Sequence, residues 1–405
     1  MRATLLFTVL AGSLLGGSWA WGDAADDDFA VATGHYAQQR WKLAGEALAE
    51  FLAKHPTDER RHQARFLLAE SLVQLGRLDQ AGPLFDQYLK DDPHGRYVAA
   101  ATFRSGEIAF LAGDFARAAQ QLEQFYKLYP DDRYAAYALP YLGETALAGA
   151  DPAAAAARFE DALRKFPDGP MQDECRLGLG RALAALGRAE EAERYLTALA
   201  GKANSPLADD AQFQLGAMHY GAGRYEQAAE VLGAFASRWT ESPLRSRALL
   251  GRGWALYKSR NWGEARRVFE SLGDDPAVGL EAHYWAAMTH REENDLARAA
   301  ERLAAVVAAA EQAGSPLADE ARVQTGDVLL RLGRTVEAEK YFEPIVRRGP
   351  QGGRWFDSAL LGLLRAAVEA GRHEAADALF ADFQHQCPES EWAGSAARWR
   401  AKSLL

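Results

Sequence analysis

The chain has 405 residues, 48% of them hydrophobic and 25% charged, with a formal charge of −10. That balance describes a globular chain with enough apolar material for a large core. It argues against nucleic acid or an anionic membrane surface as the main partner. Two cysteines in a chain of this length leave no disulfide framework to stabilise it.

Taken in chain order, Met1 to Ala20 reads as an export signal. Arg2 is followed by an apolar run through Leu5, Leu6, Phe7, Val9, Leu10, Leu14 and Leu15, and the small-x-small sequence Ser18-Trp19-Ala20 closes it. The run is shorter than the ~20 apolar residues of a membrane span, which favours cleavage over a retained anchor. Loss of Arg2 with the leader takes the formal charge from −10 to −11. No cysteine stands at the cleavage point for a lipid anchor, and no later segment is apolar enough to span a membrane. The expected location is therefore periplasmic or extracellular, with no transmembrane segment after signal removal.

From residue 21 to 390 one pattern recurs. Turn positions fall at Gln39, Gly76, Gly113, Ala150, Gly187, Gly223, Arg260, Asn294, Gly333 and Gly371, separated by 37, 37, 37, 37, 36, 37, 34, 39 and 38 residues. Five residues after each stands an alanine: Ala44, Ala81, Ala118, Ala155, Ala192, Ala228, Ala265, Ala299, Ala338 and Ala376. Apolar residues four and seven beyond that alanine, such as Leu122 and Phe125, share one face of a helix. Proline then stops the helix at Pro56, Pro93, Pro130, Pro167, Pro350 and Pro388. Seven residues before each turn lies a small residue in nine units, among them Gly106, Gly143, Gly180, Gly216, Gly253 and Gly326. Glycine inside a helix costs about 1 kcal/mol against alanine. Its recurrence implies close approach of a first helix to a second, with the recurring alanine as the facing flat spot.

Gly106, the turn Gly113-Asp114-Phe115, Ala118, Leu122 and Pro130 closely resemble the tetratricopeptide repeat at that family's own spacing. The period exceeds that repeat's usual ~34 residues, and the extra length is assigned to links such as Pro130-Asp131-Asp132-Arg133-Tyr134. Lengthened links are similar to the exported envelope branch of the family, which includes the β-barrel assembly lipoprotein and the Tol–Pal division coordinator. The resemblance implies an all-α fold, an α-solenoid of about ten helix-turn-helix repeats in a right-handed superhelix. Residues 391–405 should form a C-terminal capping helix. Pro140, inside a first helix, predicts a kink, with possible sub-arrays over 26–167 and 168–390. Ser205-Pro206, Ser242-Pro243 and Ser315-Pro316 read as N-caps followed by a first-turn proline.

No catalytic signature is present. Gly178-Leu179-Gly180 and Gly251-Arg252-Gly253 lie inside first helices, the nine histidines form no metal-ligand pair, and Cys175 and Cys387 are five repeats apart and expected to be free thiols. No enzyme activity, metal or cofactor is expected. The resemblance implies that first helices line a groove through positions ten, six and three residues before each turn. Those positions carry Glu70, Glu107 with Phe110, and Glu144, then Tyr220, Trp254 and Tyr257. The glutamates are either solvated or hairpin-capping carboxylates, or an acidic groove that steers a basic peptide. The aromatics are either inter-repeat core or exposed anchors. The expected function is an exported, non-enzymatic scaffold for a protein or peptide in envelope assembly, secretion or division. A carbohydrate- or cell-wall-binding module, or an accessory subunit of an envelope enzyme, is the alternative. Mass spectrometry of the exported protein should place its N-terminus at Trp21; a mature chain still carrying Arg2 would show the leader to be retained.

Overall fold

The computed structural model describes residues 24–404, so the export signal lies outside the described residues. Among the described residues the fold is all-helical, with 21 α-helices and no strand. Ten antiparallel hairpins follow one another and a lone helix closes the chain. The N-terminal unit, which ends at Leu207, holds hairpins one to five. These are α1 (Ala24–Ala37) with α2 (Trp41–Lys54), α3 (Arg61–Gln74) with α4 (Leu78–Asp91), α5 (Val98–Leu111) with α6 (Phe115–Leu128), α7 (Ala135–Ala148) with α8 (Pro152–Lys165), and α9 (Gln172–Ala185) with α10 (Ala189–Ala200). The C-terminal unit begins at Ala208. It holds α11 (Ala208–Gly221) with α12 (Tyr225–Arg238), α13 (Arg245–Lys258) with α14 (Trp262–Glu270), α15 (Gly279–Glu292) with α16 (Leu296–Gln312), α17 (Leu317–Arg331) with α18 (Thr335–Val346), and α19 (Phe356–Glu369) with α20 (His373–Gln386), capped by α21 (Ala393–Ser403). Each unit is a solenoid of five hairpins.

Every predicted turn position has a positive φ. The N–H one residue later bonds back to a carbonyl in the last turn of the first helix, as Asp114 to Ala109 at 2.9 Å and Arg188 to Leu183 at 2.9 Å. This closure satisfies carbonyls that a helix end leaves orphaned. Four of these positions are not glycine: Gln39, Ala150, Arg260 and Asn294 hold φ near 60°. A side chain there costs roughly 1–2 kcal/mol. Asp114, Asp151 and Asp295 then cap the second helix by accepting from the N–H three residues on.

All ten recurring alanines are 0% exposed. The side chain nearest each packing glycine, however, is the residue four beyond the alanine. A Cβ on Gly106 would fall 2.7 Å from Leu122, on Gly143 2.6 Å from Phe159 and on Gly326 2.3 Å from Phe342. Phe159 also lies where a Cβ on Gly178 would fall, in the next first helix. The glycines are therefore seats for a Leu or Phe side chain, which corrects the assignment of the alanine as their facing partner.

Other expectations change in detail. The 34- and 39-residue spacings arise in the second helices, α14 having 9 residues and α16 having 17 where 14 is usual. The serines cap through their side chains one or two residues early: Ser242 Oγ accepts from Leu244 N and Ser315 Oγ from Leu317 N, while α13 and α17 begin at Arg245 and Leu317. Pro140 lies within α7, which runs unbroken from Ala135 to Ala148. The contact boundary between units lies at 207/208, one hairpin beyond the expected 167/168. Both cysteines are free; Cys175 is buried, and burial pushes its thiol up to about 12.

Substituting Gly143→Ala should destabilise by about 1–3 kcal/mol, because the Phe159 ring has to move. Gly263→Ala, with nothing within 4 Å, should stabilise by about 0.5–1 kcal/mol. Thermal unfolding of the two variants checks this; equal melting temperatures would refute the seating role of Phe159.

Candidate docking cleft and buried charge ladder

The first-helix positions singled out by sequence behave differently in the two units. In the N-terminal unit they are filled. Glu70 is 2% exposed and Glu107 3%, and both bond to Arg104, itself 1% exposed. Arg104 Nε donates to Glu70 Oε1 at 2.8 Å, its Nη2 to Glu70 Oε2 at 3.3 Å, and its Nη1 to Glu107 Oε2 at 2.6 Å. The Tyr141 hydroxyl donates to the other oxygen of Glu107 at 3.2 Å. Burial, and then the Glu107 charge, hold this phenol protonated well above the usual tyrosine range. The guanidinium also lies 5.6 Å from the centre of the Tyr134 ring.

Glu144 repeats the motif at the next step. Arg181 Nη1 donates to both of its oxygens at 3.1 and 3.0 Å, but this pair is partly exposed. Ion pairs therefore join α3 to α5 and α7 to α9, and the hydrogen bond from Tyr141 to Glu107 links α5 to α7. Neither Glu70 nor Glu107 faces open solvent, so the solvated reading does not describe them. Phe110 is buried between Phe115 and Tyr141, with ring centres at 5.7 and 5.0 Å. Arg104 escaped the sequence reading because it stands nine residues before its turn, a position outside the ten-six-three pattern. Its spacing of three from Glu107 was the available signal.

In the C-terminal unit two of the equivalent places hold small residues. Six residues before the turn stands Ala217, where hairpins two to four carry glutamate, and nine before the next turn stands Gly251, where hairpins three and four carry Arg104 and Tyr141. The result is a cleft of about 430 Å³. Phe213, Leu232, Leu250, Val278, Tyr220 and Trp254 supply its apolar surface, and Arg247 and Glu281 its charged groups. Tyr220 is held edge-on by Tyr225 at 5.4 Å. Trp254 is half-buried, and its indole N–H is shielded from solvent with no acceptor among the described residues. Burial raises the Glu281 carboxyl pKa, while a hydrogen bond from Trp285 opposes that shift.

Tyr257 does not share this cleft. Its hydroxyl donates to Glu292 Oε1 at 3.0 Å and its ring packs on Trp285 at 5.3 Å. The aromatic trio of the sequence reading thus divides: Tyr220 and Trp254 line the cleft, and Tyr257 joins the packing between hairpins. Among the described residues no group of three His, Cys, Asp or Glu could hold a metal ion, and no helix is long and apolar enough to cross a membrane.

Models of the tetratricopeptide repeat match residues 29–96, 213–278 and 284–353; further models of the same repeat match 146–215 and 100–132. Among solved structures, a tetratricopeptide repeat protein from Parabacteroides merdae is 14% identical with a TM-score of 0.45, over 67% of this chain and 99% of its own. YrrB, described as a TPR protein with an unusual peptide-binding site, is 20% identical with a TM-score of 0.41, over 51% and 98%. Yeast Tom70 is 12% identical with a TM-score of 0.41, over 94% and 96%. No curated protein matches the chain.

Arg104→Ala should lower stability by about 3–5 kcal/mol, since it strands two buried carboxylates. Glu144→Ala, which opens a partly exposed pair, should cost no more than about 1 kcal/mol. Melting temperatures of the two variants test the contrast, and an Arg104→Ala protein as stable as Glu144→Ala would contradict it.

Proposed function

Because the chain belongs to the tetratricopeptide repeat family, we propose that it is a non-enzymatic scaffold that docks a protein or peptide segment in the cleft of its C-terminal unit. The carrying observation is the pair of small residues, Ala217 and Gly251, in the wall of the cleft. They leave an apolar hollow at first-helix places that charged side chains fill in the N-terminal unit. Tyr220 and Trp254 are the anchors: large, half-buried aromatic rings with a polar handle, the type of side chain enriched where binding energy concentrates. Glu70, Glu107, Phe110 and Tyr257 support the framework in this reading and do not touch the partner. Glu144 is neutralised by Arg181, so the acidic rungs offer a basic partner little free charge.

The non-enzymatic reading is supported by how completely helical hairpins account for the described chain, α1 to α20 being followed only by the closing helix α21. The apolar run behind Arg2 and the Ser18-Trp19-Ala20 sequence support export, and the lengthened links support a role among envelope scaffolds. Site-specific photo-crosslinking in producing cells tests the proposal. A crosslinker replacing Ala217, which is exposed, should capture a discrete protein adduct, whereas one replacing the exposed Val336 of α18 should not. Adducts of equal yield at both positions, or only glycan adducts at Ala217, would overturn it.

A further inference from the structure

We infer that the cleft selects an acidic segment: an apolar side chain enters the hollow while an internal Asp or Glu a few residues away pairs with Arg247. This deepens the docking reading above and rests on it. Three observations on α13 and its neighbours carry it.

The first is Arg247. It is exposed, lines the cleft and has no carboxylate partner among the described residues. Arg104, Arg181, Arg291 and Arg365 on other first helices are paired with carboxylates, whereas Arg245, Arg247 and Arg252, all on α13, have none among the described residues, and of these three Arg247 lines the cleft. Glu281, the carboxylate that shares the cleft, is engaged by Trp285. The exposed charge of the cleft lining is therefore Arg247, Glu281 being half-buried, although the chain as a whole is acidic.

The second is the unmet indole N–H of Trp254. A shielded donor with no acceptor carries the desolvation cost of a hydrogen bond left unmade. The N–H is covered, so an incoming carbonyl oxygen removes that cost only by displacing the side chains over it, and a ligand with a backbone acceptor beside its apolar group supplies such an oxygen.

The third is spacing. Arg247 and Trp254 are seven residues apart on one helix, or about 10 Å along its axis at ~1.5 Å per residue. An extended chain covers that distance in about three residues at ~3.3 Å each. A terminal carboxylate would reach only one of the two donors. An internal segment can place a carbonyl at Trp254, its apolar side chain among Phe213, Leu232 and Leu250, and its carboxylate at Arg247.

Selection of phage-displayed random peptides on the full chain tests the inference, with recovered peptides resynthesised and their affinities measured. The expected result is enrichment of Leu, Phe or Trp with Asp or Glu about three residues away. Arg247→Glu should weaken such peptides about tenfold and redirect selection to Lys or Arg at that place. Trp254→Phe, which keeps a ring and removes the N–H, should weaken them about fivefold. Ala217→Trp should abolish binding with an unchanged melting temperature. Peptides that depend on an open Ala217 yet carry a basic residue or no charge preference, or that keep their acidic preference in Arg247→Glu, would overturn the inference while leaving the docking reading standing. Selection of no peptide, or of peptides indifferent to Ala217→Trp, would overturn both.

Discussion

The structure depends on one contact made again and again, a Leu or Phe of the second helix set down on a glycine of the first. Leu122 on Gly106, Phe159 on Gly143, Leu196 on Gly180, Leu232 on Gly216, Phe269 on Gly253 and Phe342 on Gly326 are six instances of it. Each such side chain gains about 1.5–3 kcal/mol from full burial. Where a second glycine follows in the next first helix, as at Gly178 and Gly362, the same ring also sets the distance to the neighbouring hairpin. Closing a hairpin and stacking it are then one event, as a fold whose units touch mainly their neighbours requires.

With that contact meeting the needs of packing, the remaining first-helix positions are free to differ. The N-terminal unit uses them for buried charge. Such charge adds little net stability compared with apolar residues of the same volume, but it penalises strongly any arrangement that separates the partners. The C-terminal unit places small residues, Ala217 and Gly251, at two of them, Leu232 lying against Gly251. The same helical address thus yields a sealed ladder around Arg104 in one unit and an open hollow beside Trp254 in the other.

The hairpins, their turns and the closing helix were legible in the sequence because each is decided locally, by a turn glycine, a helix stop or an apolar face. Where Gln39, Ala150, Arg260 or Asn294 replaces the glycine, the repeat spacing still marks the turn. The glutamates at 70, 107 and 144 were legible as a series, but their burial was not. It depends on Arg104, one position outside the expected groove pattern, and on Tyr141 from the following hairpin. The cleft was harder still, because it is made by what Ala217 and Gly251 lack, and a small residue reads the same whether something fills its place or nothing does. Tyr220 and Trp254 were found by type; only packing separated them from Tyr257, whose hydroxyl is committed to Glu292. The unequal lengths of α14 and α16 had no marker, since both lie in hairpins without a stopping proline.

The bridge at Arg104 bears on how the N-terminal unit comes apart. A linear array ordinarily frays from its ends, each hairpin peeling away with the loss of a single interface. Glu70, Arg104 and Tyr141 come from three successive hairpins and share one network with Glu107, so none of the three can peel without exposing or stranding charge that the others hold. Hairpins two to four are thereby fused into one cooperative block. Fraying that begins at α1 should meet a barrier there, which places the slowest-exchanging amides expected of this unit in α3, α5 and α7.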